Sequence, residues 1–195
     1  MKSLRNLLTA VAIAALTTAC AQVPKLTTEL PTGWLKDQNG CAVYHSPGQQ
    51  NDSVRWSGKC KNGYAEGSGI TEWYAYGGLL ETDTVPRKRG KLHGSGVVTW
   101  WDAGDHYIGA TTNDLRDGKG VYVWNNGEIY EGDWVADNRT GHGTLILTNG
   151  DRYEGGWVDD MWSGQGTYTT ATGRIFQGNI NRDNLADSEG TITEP

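Results

Sequence analysis

The side chains able to do chemistry in this chain are few and scattered: four histidines, three cysteines, dispersed carboxylates and one basic run. His45, His93, His106 and His142 stand far apart, with none of the short spacings that place two imidazoles on one metal ion. Glu131, Asp133, Glu154, Asp159 and Asp160 could imitate the carboxylate pair of a glycosidase. Glu131, Asp133 and Glu154, however, alternate with aromatic residues, and so read as a solvated acidic face. The Gly-x-Gly pairs lack the lysine and hydroxyl residue of a phosphate loop, and no Gly-x-Ser-x-Gly elbow offers a nucleophile. Neither catalysis nor a metal or cofactor is expected, which leaves binding. Two features are candidates for it. The first is an aromatic set, Tyr107, Tyr130, Trp134, Tyr153 and Trp157, joined by Tyr122 and Trp124. Most of these rings must form a core, and any left half-exposed can clamp a peptide or stack on a sugar. The second is Pro86-Arg87-Lys88-Arg89-Gly90-Lys91, the one basic run in a chain of formal charge −6. It reads either as an irregular solvated loop or as a contact for lipid phosphates or an acidic partner through Arg87, Lys88, Arg89 and Lys91.

What must position these residues is a repeat. Tyr130-Glu131-Gly132-Asp133-Trp134 recurs as Tyr153-Glu154-Gly155-Gly156-Trp157, and Gly141-His142-Gly143 as Gly164-Gln165-Gly166. Counted from the leading aromatic, glycines fall at +2, +11 and +13. The same register starts at Trp56, Asp83, Tyr107, Tyr130, Tyr153 and Phe176, giving five copies and a partial sixth, the later ones 23 residues apart. Alternation of Tyr130, Gly132 and Trp134, and of Gly141, Gly143, Leu145 and Leu147, is the period of a strand. Asn126-Gly127 and Asn149-Gly150 predict two-residue turns between units, with residues 136–140 a longer connection inside one. Each unit is thus an antiparallel hairpin, and the chain is all-β: a single-sheet solenoid, or meander, of stacked hairpins. Periodic glycines leave room for a ring from an adjacent unit. The composition, 28 Gly, nine Trp and nine Tyr against one Phe and two Met, suits a thin solenoid better than an aliphatic core.

The pattern resembles the membrane occupation and recognition nexus (MORN) repeat, which reads approximately Tyr-x-Gly-x-Trp-x-x-Gly-x-x-His-Gly-x-Gly. Tyr130, Gly132, Trp134, Gly141 and Gly143 match it, as do Tyr153, Gly155, Trp157, Gly164 and Gly166; His93, Gly94 and Gly96 match its second half. Asp114, Asp137 and Asp160 depart from its glycine at +7. Cys60, Arg87 and Thr111 occupy the tryptophan slot of the first three copies. The resemblance implies a non-catalytic β-solenoid used for protein or membrane contacts.

The N-terminus reads as an export signal, with Lys2 and Arg5 before an apolar run over 7–16 that is too short to span a membrane. Leu16-Thr17-Thr18-Ala19-Cys20 looks like a bacterial lipobox that would make Cys20 a lipidated N-terminus, although its leucine stands one place too far from the cysteine. Ala19-Cys20-Ala21 also fits ordinary signal peptidase. The organisation expected is a signal peptide over 1–19, a flexible tether over 20–40, the repeat domain over 41–182 and an acidic tail over 183–195. Cys41 and Cys60 then pair in an oxidising compartment, closing a loop whose entropy is worth about 3 kcal/mol. Loss of Lys2 and Arg5 leaves a charge of −8, which argues against nucleic acid. The chain is therefore expected to be an exported, lipid-anchored binding or scaffolding module of the bacterial envelope with a protein partner. A glycan- or peptidoglycan-binding module and a lipid-headgroup binder are the alternatives.

Overall fold

The computed structural model describes residues 30–45, 51–101, 103–180 and 189–193. The signal segment, Cys20 and residues 20–29 of the expected tether lie outside them. Seventeen strands follow one another, and no helix occurs among the described residues. The first five are β1 (Trp34–Lys36), β2 (Ala42–Tyr44), β3 (Ser53–Trp56), β4 (Lys59–Lys61) and β5 (Tyr64–Glu66). Then come β6 (Thr71–Ala75), β7 (Gly78–Asp83), β8 (Arg87–Lys88), β9 (Lys91–Trp100), β10 (Asp105–Thr112) and β11 (Leu115–Val123). The regular repeats supply β12 (Ile129–Val135), β13 (Asn138–Ile146), β14 (Arg152–Val158) and β15 (Met161–Thr169), and β16 (Ile175–Asn179) and β17 (Glu189–Thr193) end the chain.

From β9 to β17 each strand pairs antiparallel with the next, the meander that the period of two requires. The sheet continues through β7 and β6 to β3, while β1, β2, β5 and β4 form a second, four-stranded sheet at the N-terminal end. The folded chain thus begins ahead of residue 41, because Trp34–Lys36, inside the expected tether, pairs with Ala42–Tyr44. Cys41, just before β2, is bonded to Cys60 in β4 and ties that hairpin to the first repeat. At the other end Glu189–Thr193, inside the expected acidic tail, joins the sheet as its last strand.

The glycines explain why such a sheet has a core at all. Gly96, Gly109, Gly120, Gly132, Gly143, Gly155, Gly166, Gly178 and Gly190 stand opposite one another, strand by strand, from β9 to β17. A ring lies across the pair within each regular unit. A Cβ at Gly132 or at Gly143 would come within 2.4 Å of the Tyr130 hydroxyl, and Tyr107 and Tyr153 cover Gly109 and Gly120, and Gly155 and Gly166, in the same way. The covering ring therefore belongs to the same unit, two residues before its first glycine, and not to an adjacent unit as the spacing suggested. The reason is the bulge that shifts the register beside each of these glycines. It frees a carbonyl at +3, and each tyrosine hydroxyl reaches along its own strand to donate to it: Tyr107 to Ala110, Tyr130 to Asp133, Tyr153 to Gly156, at 2.8, 3.1 and 3.0 Å.

The tight turns also sit at the opposite ends of the strands from those expected. Asn113-Asp114, Ala136-Asp137 and Asp159-Asp160 have both φ positive, the two-residue turn of a twisted hairpin. Asn62-Gly63 and Arg89-Gly90 do the same in the first two copies. At Asn126-Gly127 only the glycine is left-handed, with Gly127 N–H donating to Trp124 O and Trp124 N–H to Glu128 O: a three-residue loop with a bulge. Aspartate tolerates the left-handed region better than most residues, so it can stand where glycine is usual.

Burial of these rings gives an alkaline signature. Burial pushes the Tyr107 hydroxyl up to about 12 and raises those of Tyr122, Tyr130 and Tyr153. An unfolded chain ionises its tyrosines near 10. The folded form thus holds these protons more tightly: stability is intact below pH about 10 and falls as pH rises beyond it. In an absorbance titration the phenolate signal of these rings is expected to appear together with loss of near-ultraviolet circular dichroism. Ionisation of all tyrosines near pH 10 in a folded protein would contradict the packing.

Candidate functional site

The inner face of the sheet is a run of interlocked rings. Tyr130 packs edge-on against Trp134 of its own unit and Trp157 of the next, with centroids 5.1 and 5.0 Å apart, and Tyr107 meets Trp134 at 5.9 Å. Each tryptophan fills the space beside the tyrosine of the preceding unit and donates its indole N–H to a glycine carbonyl, Trp134 to Gly120 and Trp157 to Gly143. Tyr107, Tyr130, Trp134, Tyr153 and Trp157 are all buried. The five rings expected to contribute to binding are therefore core: they hold the units together, and of the five, Tyr107 also borders a cavity.

The basic run is also placed differently. It is not an irregular loop but the tight hairpin of the second copy, β8 turning at Arg89-Gly90 into β9. Arg87 points inward and is 3% exposed. Its guanidinium meets Asp83 Oδ2 at 2.6 Å and donates to Thr71 Oγ1 and to the carbonyls of Tyr44 and Gly90. Asp83 and Arg87 hold the positions that a tyrosine and a tryptophan hold in the regular copies, so a buried ion pair replaces an aromatic pair. Burial pushes the Asp83 carboxyl up to about 6, against the pull of Arg87. Lys88 and Arg89 remain on the surface, and the Lys91 ammonium lies 4.1 Å over the Tyr44 ring. The basic patch is thereby reduced to scattered charges. The acidic face is mixed as well, since Asp133 is paired with Lys119 at 2.7 Å and Glu154 with Arg152 at 2.7 Å.

What the sequence did not reveal is a cavity of about 350 Å³ on the ring-bearing face, between β2 of the small sheet and strands β7 and β9–β11 of the large one. It lies where tryptophan fails in two consecutive copies, at Arg87 and Thr111, both of which line it. Thr111 is 4% exposed and donates to Gly94 O, but it fills a fraction of an indole's volume. Tyr44, Trp100, Tyr107 and Tyr122 supply the aromatic wall, with Trp100 and Tyr122 stacked at 5.8 Å. Glu81, Asp105, Asp114 and Asp137 supply carboxylates. Asp105 accepts from Tyr122 Oη and Asn125 N–H, and Glu81 lies 3.0 Å from His45 Nε2. Arg116 closes one side, bonded through Nε to Asp137 Oδ1 at 2.8 Å and lying 4.3 Å over the Trp134 ring. The signal of this cavity in the sequence is the loss of tryptophan from two consecutive slots, at Arg87 and Thr111.

Of the histidines, only His45 reaches the cavity; His93, His106 and His142 belong to separate parts of the sheet, and no cluster of three metal-ligating side chains occurs among the described residues. A wall of rings with carboxylates set between them can hold an organic cation or a polyol.

Residues 88–100, 107–129, 130–152 and 153–173 match the MORN repeat. These segments begin within the second copy and cover the three regular ones. No curated protein matches the sequence. Among solved structures, the SAS-4 TCP domain in complex with a proline-rich motif of Ana2, from Drosophila melanogaster, is similar at 10% identity over 83% of this chain and 89% of that one, with a TM-score of 0.33. So distant a likeness bears on neither fold nor partner. MORN repeats point to a binding or scaffolding module.

Proposed function

We propose that this chain, which carries four MORN repeat segments, is an exported binding module held at a bacterial envelope by a lipid on Cys20, and that its ligand seats in the cavity beside Thr111. The observation that carries this reading is that the ring-covered face is closed wherever the repeat is regular and open where two tryptophans are missing. The signal-like N-terminus supports export, and the Cys41–Cys60 bond suits an oxidising compartment. A protein of the envelope is the partner this reading favours. The stacked Trp100–Tyr122 wall with Asp105 beside it favours a cell-wall glycan as the second reading, since sugars stack on such rings while carboxylates accept from their hydroxyls.

Thr111→Trp tests the site while sparing the fold, because it installs the residue that the two following copies carry at Trp134 and Trp157. The variant is expected to melt no lower than the natural chain and to lose the partner that the natural chain retains on affinity purification from solubilised envelopes. Recovery of the same proteins by both would overturn the cavity as the site. Sedimentation with purified peptidoglycan, lost on Thr111→Trp, would instead establish the glycan reading. Labelling with a fatty acid that disappears on Cys20→Ala is the expected outcome for the anchor, and an unlabelled natural chain would remove it.

A further inference from the structure

Successive units are joined at their tight turns by a rung that repeats every 23 residues. Asp137 in one turn takes Arg116 of the preceding unit: its Oδ1 accepts from Arg116 N–H and Nε–H, both at 2.8 Å, and its carbonyl from the guanidinium at 3.1 Å. Asp160 takes Arg139 in the same way, at 3.0, 2.8 and 3.2 Å. The two guanidinium groups lie 4.3 Å over Trp134 and 4.6 Å over Trp157. A third rung, Asp114, stands at the cavity. Its backbone N–H donates to Leu92 O and its Oδ1 accepts from Leu92 N–H, reproducing the other two rungs. Yet leucine occupies the arginine position, and Thr111 occupies the position of the tryptophan that the guanidinium would cover. The rung has lost its guanidinium and its ring together.

What remains is a carboxylate whose side chain is 6% exposed and whose Oδ2 is buried without a hydrogen bond, the Lys91 ammonium being 3.5 Å away. A buried carboxylate oxygen in that state calls for a donor. The rest of the lining has the matching sign. Arg87 is engaged by Asp83 and Arg116 by Asp137, while Glu81 meets His45 and Asp105 accepts from Tyr122, so that Asp114 Oδ2 is the carboxylate oxygen of the lining that is buried without a hydrogen bond.

Taking the cavity as the binding site, we propose that the group it receives is a guanidinium, from an arginine of a partner chain or from a small free guanidino compound, which completes the Asp114 rung from outside. A guanidinium fits better than an ammonium because it is planar, weakly hydrated and able to stack on a ring while donating in a fork to a carboxylate. Arg116 and Arg139 stack on a ring in this same sheet while donating through Nε to an aspartate carboxylate and through Nη2 to its backbone carbonyl.

The test is titration of the full-length chain with arginine amide, lysine amide and N-acetylglucosamine, followed by calorimetry. Saturable binding of arginine amide is expected, with lysine amide roughly tenfold weaker. Leu92→Arg, which completes the rung from within, is expected to keep the melting temperature or raise it and to abolish arginine amide binding. Asp114→Asn should weaken binding roughly tenfold. Tighter binding of a Gly-Arg-Gly peptide than of arginine amide would identify a partner chain as the source, and the reverse a free guanidino compound. Equal binding of lysine amide, binding of the sugar alone, or arginine binding unchanged in Leu92→Arg would overturn the assignment. Absence of arginine binding while Thr111→Trp still releases the envelope partner would defeat the guanidinium and leave the cavity standing. If Thr111→Trp releases nothing, the cavity itself is not the site.

Discussion

Gly143→Val will lose about 3 kcal/mol of stability or more, enough to unfold the regular repeats of a marginally stable sheet. A Cβ at this position would lie 2.4 Å from the Tyr130 hydroxyl and 2.6 Å from ring carbons. The ring cannot retreat, because Trp134 and Trp157 enclose it and its hydroxyl is bonded to Asp133 O. Displacing it would uncover Gly132 as well and open the contact between two units. Gly127→Ala provides the comparison. Nothing lies within 4 Å of a Cβ there, and its φ of +91 makes the loss purely conformational, about 1 kcal/mol. Chemical denaturation of the two variants separates these causes. Equal, small losses at both positions would mean that the rings do not depend on the glycine ladder.

Arg87→Met is the second large effect. The substitution leaves Asp83, wholly buried, with Thr71 Oγ1 as its remaining hydrogen-bond donor, and the expected loss is about 3–5 kcal/mol. Asp83→Leu combined with Arg87→Met should recover most of that loss, since an apolar pair of similar volume needs no desolvation of charge. Restoring the tyrosine itself is not the remedy. Val85 stands where the regular copies have glycine and already covers Gly96, so a ring at 83 would collide with it. A double variant no more stable than Arg87→Met would show that the ion pair is needed for more than its charge balance.

These effects show where the sequence was informative. Ring, glycine and tryptophan offsets in a repeat are local, and pairing with the next strand preserves them. The alternation of Tyr130, Gly132 and Trp134 along a strand was therefore legible from spacing alone, and so was the pairing of Cys41 with Cys60, the two cysteines left within one turn-rich stretch; the register Gly132↔Gly143↔Gly155 was not. Turn types were read the wrong way round. Asn-Gly is a strong hairpin signal, but here Asp137 and Asp160 are held in the left-handed region by arginines 21 residues upstream, contacts that no local propensity reports.

The sequence by itself determined an all-β meander with periodic glycines and a ring stripe, because strand alternation and a fixed period permit little else. Only the tertiary structure decided which of those residues are available to a ligand. Whether a ring is core or surface depends on what the neighbouring unit lays against it. For Tyr130 and Trp157 the neighbour closes the face, and for Thr111 and Leu92 it does not. The basic run lost its surface role for the same reason, since Arg87 turns inward to an aspartate that sits in a tyrosine's place. A departure from the repeat is visible in one dimension; whether it makes a cavity or an ion pair is settled by the partner across the sheet.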